Sequence, residues 1–163
     1  MSEWIQRYAG QNERRDVSRT HVAVRPGECR VFGYYSLSSF QIGFETLPTT
    51  RSKKLPRYQP IPAALLGRLA VDKSVQGQGL GTVLLVSALG RILSLDREIA
   101  IHSVVVHAID DEARNFYMKQ GFEPLLDDPL HLFISMNVIR QLDLAPNDQA
   151  DAPPPDDSSK PVP

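Results

Sequence analysis

From Ser18 to Val24 the side chains alternate, with Thr20, Val22 and Val24 on one side and Arg19, His21 and Ala23 on the other. A period of two predicts a strand. Arg25-Pro26-Gly27-Glu28 reads as a turn, and a second strand is expected from Cys29 to Leu37. Upstream, Trp4, Ile5, Tyr8 and Ala9 share one helical stripe, so residues 2 to about 14 are expected to be helical. The apolar run Leu65-Leu66-Gly67-Arg68-Leu69-Ala70-Val71 predicts a buried strand over 64–71, and Thr82 to Leu89 begins a helix reaching about residue 94. Ser103 to Ala108, with Val104, Val105 and Val106, reads as a central strand. Asp110 is a suitable N-cap for a helix to Gln120, and Gly121 a natural stop after it. A hairpin follows, with strands near 122–126 and 130–137 joined through Asp127-Asp128-Pro129. This order of elements predicts an α/β sandwich of mixed strand pairing.

Residues 48–62 carry Pro48, Pro56, Pro60 and Pro62 with Arg51, Lys53, Lys54 and Arg57, which predicts a loop with mobile basic side chains. Beyond Ala145 the chain is rich in Pro, Asp and Ser. The expected organisation is one domain over 1–144 and a disordered acidic, Pro-rich tail over 145–163. A chain of 163 residues, 42% hydrophobic and 23% charged, is long enough for one core and ordinary in composition. No apolar run approaches the roughly 20 residues of a membrane span. The first residues lack an apolar signal core, and Cys29 stands alone, so a reducing cytoplasm is the expected compartment. A lone cysteine in a hairpin reads as packing rather than as a nucleophile. Charge is unevenly placed. Residues 1–60 hold ten Lys and Arg against five Asp and Glu, and residues 61–163 hold eight against fourteen. The first third can therefore present a basic surface to a polyanion such as RNA, or only a scattered solvated face.

The chemistry is concentrated in Gln76-Gly77-Gln78-Gly79-Leu80-Gly81, between a predicted strand and a predicted helix. Such a turn gathers unpaired backbone N–H groups at the positive end of a helix, a site suited to a phosphate or pyrophosphate. A Walker A loop would need Lys-Ser/Thr after its last glycine, and a dinucleotide fingerprint would need Gly-x-Gly-x-x-Gly; neither is present. The pattern Gln/Arg-x-x-Gly-x-Gly/Ala is met by Gln76, Gly79 and Gly81, and it resembles the acetyl-CoA pyrophosphate loop of the GNAT N-acetyltransferases.

The second half of the chain extends that resemblance. Ala113-Arg114-Asn115-Phe116-Tyr117 through Gly121-Phe122 is similar to the A-x-x-F-Y-x-x-x-G-F signature of the family. Ser18-Arg19-Thr20, Gly33 to Leu37, Pro60-Ile61-Pro62, Gly67 to Asp72 and Val106-His107-Ala108 resemble one branch, the GNAT toxins of bacterial toxin–antitoxin pairs. The resemblance implies the GNAT acyl-CoA N-acyltransferase fold, a mixed central sheet flanked by helices. Members of this branch begin with a further strand and helical segment, whereas Glu3-Trp4-Ile5 resembles their second helix. The expectation is therefore that Met1 starts inside the fold, with the first strand absent or encoded upstream. If it is absent, the strand at 18–24 is an exposed edge prone to self-association, as in a homodimer.

The same resemblance implies a direct transfer of acetyl from acetyl-CoA to an amine. Pyrophosphate would rest on the N–H groups of Gln76, Gly77, Gln78, Gly79, Leu80, Gly81 and Thr82, with the Gln76 side chain adding a hydrogen bond. The pantetheine arm would run beside Leu69, Ala70 and Val71, with the N–H of Leu69 or Val71 toward the thioester oxygen. Tyr117 takes the family's place as general acid to the leaving thiolate, and Asn115 that of a contact to the arm. A free phenol and a free thiol differ by about two pKa units, so that proton transfer is not steep. No general base is evident. Of His21, His102, His107 and His131, His107 lies in a shared strand motif but reads as a core histidine. No metal is expected, since no His, Cys and carboxylate set has ligand spacing. In the toxin branch the acceptor is the amino group of aminoacyl-tRNA and the partner a ribbon-helix-helix antitoxin. Arg14, Arg15, Arg19, Arg51, Lys53, Lys54 and Arg57 are the candidates for tRNA phosphates. Two other functions remain open: a GNAT enzyme for a small amine or a protein N-terminus, and an inactive binding module.

Overall fold

A computed structural model describes residue 3, residues 5–142 and residue 144 of the chain. A π-helical turn, Ile5–Ala9, runs into helix α1, Gly10–Arg14. The expected N-terminal helix is thus present but changes pitch; Trp4 lies outside the described residues, as does the tail expected from 145 onward. Strand β1 is Arg19–Val24 and β2 is Val31–Ile42. The second strand starts later and runs further than expected, which leaves Cys29 exposed in the preceding turn rather than packed. A 3-10 turn, Phe44–Thr46, and a single-turn helix α2, Thr49–Ser52, organise the basic segment that was expected to be irregular. Then follow β3 (Ile61–Val71), a 3-10 turn (Lys73–Val75), α3 (Leu80–Leu95), β4 (Ser103–His107) and α4 (Asp111–Lys119). The final hairpin is β5 (Glu123–Pro124) and β6 (His131–Ser135). The last strand stops at Ser135, because Ser135 Oγ caps a short helix α5, Met136–Gln141, which buries Met136 and Ile139.

The sheet order is β1-β2-β3-β4-β6-β5. Only β3 and β4 are parallel, and α3 is the crossover between them. One face carries Tyr35, Leu66, Val104, Val106, Leu132 and Ile134 against the buried side of α3, together with Tyr117 of α4 and Ile139 of α5. The opposite face carries Ile61, Ala63, Val105 and Phe133, covered by Ile42, Leu47 and Leu125. At the outer edge, β1 pairs on one side with β2. Ala23 packs toward the core and His21 stacks on Tyr35, while Val22 and Val24 each stay 50% exposed.

Helix α3 sits so close to β2 that a Cβ on Gly33 would lie 2.7 Å from Leu84 Cδ1 and 3.0 Å from Ala70 O. Gly90, further along α3, has nothing within 4 Å of the same ideal atom. One substitution should therefore act with opposite signs at the two sites. Gly33→Ala is expected to destabilise the fold by about 1–3 kcal/mol through overpacking. Gly90→Ala is expected to stabilise it by about 0.5–1 kcal/mol through helix propensity. Urea unfolding of both variants checks this, and equal shifts would contradict the packing described.

Candidate active site

The site is built where two strands part company. Pairing between β3 and β4 ends at Leu66 and Val106, yet β3 continues to Val71 paired only to β2. The parting coincides with a register shift: Ser36 faces Arg68, Leu37 faces Leu66, and Gly67 is the extra residue of a bulge. Beyond the bulge one edge of β3 is open. Asp72 N–H reaches across to Phe32 O on the β2 side at 2.8 Å. Backbone groups alternate sides along a strand, so the N–H groups of Val71 and Leu69 point the other way, into the open edge. Ala70 turns its backbone to Tyr34.

The glycine loop leads from this edge to α3. Gly77 and Gly79 have φ of +75° and +83°, and a Cβ at either would meet nothing within 4 Å. Backbone conformation, not crowding, is what asks for glycine there. Gly79 caps α3 without a side-chain hydrogen bond, and the helical ladder opens with Val83 N–H to Gly79 O at 3.2 Å. The N–H groups of Leu80, Gly81 and Thr82 therefore have no partner within the helix. Helix α4 provides a contrast. Asp110 Oδ1 accepts from Ala113 N–H at 2.8 Å, and Asp111 and Glu112 lie in its first turn. The first turn of α3 has no acidic residue, so its positive end is left uncompensated.

The loop is tied down by short-range bonds and by one distant partner, Arg30. Asp72 accepts from Ser74 Oγ at 2.6 Å, from Ser74 N–H at 3.0 Å and from Arg30 at 3.1 Å. The Ser74 hydroxyl and amide, with help from Arg30, hold this carboxyl well below the usual carboxylate range. Gln76 Nε2 donates to Val71 O at 3.2 Å. The side chain read as an anion contact thus clamps the loop to the end of β3.

Tyr117 comes to the same region from α4. Phe116, its neighbour, lies 3.7 Å from a Cβ built on Gly81, so α4 abuts the start of α3. The Tyr117 ring is 7% exposed, edge-on to Phe116 at 5.2 Å and tilted against Phe122 at 5.4 Å. Burial pushes its phenol up to about 12. That corrects the near match with a thiol expected from free side chains: the gap is closer to three or four units. At neutral pH the phenol is therefore protonated. Asn115 is exposed on α4.

His107 departs from the core reading. It is exposed at the end of β4, stacked on His131 at 4.0 Å and edge-on to Phe40 at 5.7 Å. The seven basic candidates do not share one environment. Arg51 is paired to Glu123 through both carboxylate oxygens, Arg19 to Asp16 at 2.7 Å, and Arg14 Nε donates to Gly10 O. Arg15 is exposed beyond α1, and Lys53, Lys54 and Arg57 are exposed together after α2, next to Tyr58, which is 97% exposed.

The acetyltransferase (GNAT) domain family matches residues 18–124. The tRNA-acetylating toxin of Mycobacterium tuberculosis (strain ATCC 25618 / H37Rv) is 38% identical over 142 residues, covering 87% of this chain and 83% of the toxin. AtaT complexed with acetyl-methionyl-tRNAfMet superposes with a TM-score of 0.79 at 32% identity, covering 85% of this chain and 82% of that one. A tyrosine-to-phenylalanine mutant of AtaT, bound to the C-terminus of the antitoxin AtaR and acetyl-CoA, gives 0.72 at 28% identity over 85% and 80% of the two chains.

The histidines make stability depend on pH. Burial lowers His21, His102 and His107 from the ordinary 6.5, helped by Arg91 at His21 and by His131 at His107. Below that value the unfolded chain binds protons that the folded chain refuses, so stability falls on acidification. The urea midpoint should therefore drop between about pH 7 and about pH 5, and His102→Gln should flatten the drop. A midpoint that holds or rises over that range would contradict these environments.

Proposed function

The chain belongs to the GNAT acetyltransferases, in the branch of the tRNA-acetylating toxins, and from that premise we propose that it acetylates the amino group of an aminoacyl-tRNA with acetyl-CoA and so blocks translation. The observation that carries the reading is the uncompensated start of α3 beside the open edge of β3, with Tyr117 set between them and the α4 side of the core. The N–H groups of Leu80, Gly81 and Thr82, with the turn from Gln76 to Gly79, receive the pyrophosphate. The pantetheine arm adds itself to the edge at Leu69, Ala70 and Val71, as a strand would. Asn115 lies along its course.

Acetyl transfer follows from this placement. The amine nitrogen attacks the thioester carbonyl carbon. The oxygen gathers negative charge, and an N–H on the open edge, from Leu69 or Val71, stabilises it by a few kcal/mol. The carbon–sulfur bond then breaks, and Tyr117 gives its hydrogen bond, and finally its proton, to the sulfur. With the phenol near 12, passing its proton even to the fully formed thiolate is uphill by roughly 4–5 kcal/mol, and passing it to the still-bonded sulfur, a far weaker base, is steeper still. Tyr117 therefore stabilises the departing sulfur by its hydrogen bond as charge builds there, and the proton crosses last, drawn on by reprotonation of the phenolate from solvent.

The acceptor is a polyanion, and Lys53, Lys54 and Arg57 form an exposed cationic segment with Tyr58, a ring free to stack on an unpaired base. Arg14, Arg15 and Arg19 form a second cationic group, and Arg51 supports the first through Glu123. The partner we infer is a ribbon-helix-helix antitoxin. The protein is inferred to be a cytoplasmic homodimer, which the open outer edge of β1 with Val22 and Val24 supports.

Labelled acetyl transfer to a total charged tRNA pool tests the reading. Label should appear on charged but not on uncharged tRNA. Tyr117→Phe should lower turnover roughly 100-fold or more while leaving acetyl-CoA affinity nearly unchanged; equal loss of both would reduce the ring to a packing role. Removing the charges of Lys53 and Lys54 together should weaken tRNA use and lower the salt slope by about 2. A slope that stays the same would take these residues out of the interface.

A further inference from the structure

We propose that His107 takes the proton from the attacking amine, working from the face of the sheet opposite to Tyr117. The inference rests on the transfer reading above and supplies the base that it lacks. Along β4, Val104 and Val106 belong to the same buried cluster as Tyr117. Val105 belongs to the cluster on the other face. His107 follows Val105 in the alternation, and its ring meets Phe40, which packs on that second cluster. His107 is also the first residue of β4 beyond the last β3 pair, Leu66 and Val106. On its other side it pairs with His131. An exposed imidazole therefore stands at the mouth of the parted strands, on the side that α3 and α4 leave uncovered.

The surroundings keep that imidazole able to accept a proton. His131 stacks on it at 4.0 Å, and His131 Nδ1 is 3.0 Å from Asp127 Oδ2. Two imidazolium rings at that distance repel, which makes a proton on His107 less favourable. The charged and titratable groups acting on His107 are His131, Asp127 and Asp128. Partial shielding of the ring from water and the neighbouring His131 lower its basicity, the two carboxylates raise it, and the balance is a lowered value. Near neutral pH the ring carries a free lone pair.

The proton balance closes. As the C–N bond forms, the amine proton passes to an imidazole nitrogen of His107. As the C–S bond breaks, the thiolate takes the proton of Tyr117. The net movement is one proton from nitrogen to sulfur, and the two side chains are restored by exchange with solvent.

The test is the pH dependence of kcat/KM for the full chain and the variants His107→Gln and His131→Asn, with aminoacyl-tRNA and with an amino acid methyl ester as acceptors. An acid limb that follows the acceptor belongs to the amine; a limb common to both acceptors belongs to His107. His107→Gln is expected to lower kcat/KM roughly 100-fold and to abolish the common limb, with acetyl-CoA binding by calorimetry unchanged. His131→Asn removes the like charge and should move the limb to higher pH. Activity of His107→Gln within about two-fold of the unaltered protein at every pH, or loss of acetyl-CoA binding in proportion, overturns the proposal. If the unaltered protein still acetylates charged tRNA in that case, the toxin reading survives. An unaltered protein inert toward every acceptor removes both. Should His107→Gln fail to fold, His131→Asn decides: an unmoved limb overturns the proposal.

Discussion

A failure of strand pairing shapes the functional half of this molecule. Strands β3 and β4 are parallel neighbours as far as Leu66 and Val106, and then β3 goes on with β2 alone. The bulge at Gly67 supplies the physical cause, since an extra residue on one strand bends it and raises its twist. A Cβ at Gly67 would lie only 3.2 Å from Ser36 Oγ, so the bend keeps the two strands in close contact at that point. The result is an unpaired backbone edge inside the sheet, beside the main core. Exposed edges are normally covered or blunted. Here the edge ends on a helix whose own positive terminus is uncapped, and the two features invite the same extended anionic ligand.

Helix α3 can serve in this way because its position is fixed elsewhere. Leu84, Leu85, Ala88, Leu89 and Ile92 are buried along it, and the absence of a side chain on Gly33 lets Leu84 descend onto β2. Burial at this scale, about 25 cal/mol per Å² of apolar surface, holds the helix without help from its N-terminus. The contrast with α4 follows from the same division. There Asp110, Asp111 and Glu112 satisfy the first turn, so α4 is a structural support that delivers Phe116 and Tyr117. One helix spends its polar end on stability and the other keeps it free.

Features with a local signal were legible in the sequence. The glycine loop, Asp110 as a cap, Gly121 with φ of +95° after α4, and the valine strand of β4 all fall where short-range chemistry put them. Features set by distant contacts were not. The last strand was expected to reach residue 137, and the packing of Met136 and Ile139 against the core instead makes Met136 and Asn137 the start of a helix. Arg51 and Glu123 are far apart in the chain, as are Arg30 and Asp72, and no spacing rule joins either pair. The misreading of His107 has the same origin. Its neighbours Val104 to Val106 are buried on both faces, but β3 leaves β4 at the next residue, and that departure cannot be read from β4 itself.

The sheet also solves an electrostatic difficulty that the proposed reaction poses. Acetyl-CoA and tRNA are both strongly anionic, and bringing them to one carbon atom on the same side would set their phosphates against each other. The uncompensated start of α3 lies on one face. The segment from Phe44 to Pro60 crosses the other, anchored by Leu47 and Leu55, and carries Lys53, Lys54 and Arg57 outward. On the proposed reading, two cationic sites on opposite faces would keep the two sets of phosphates roughly a sheet's thickness, about a Debye length, apart, where salt screens most of their repulsion. On the same reading the uncharged ends of both substrates would meet at the parted strands, with the Tyr117 phenol on one face and the His107 imidazole on the other.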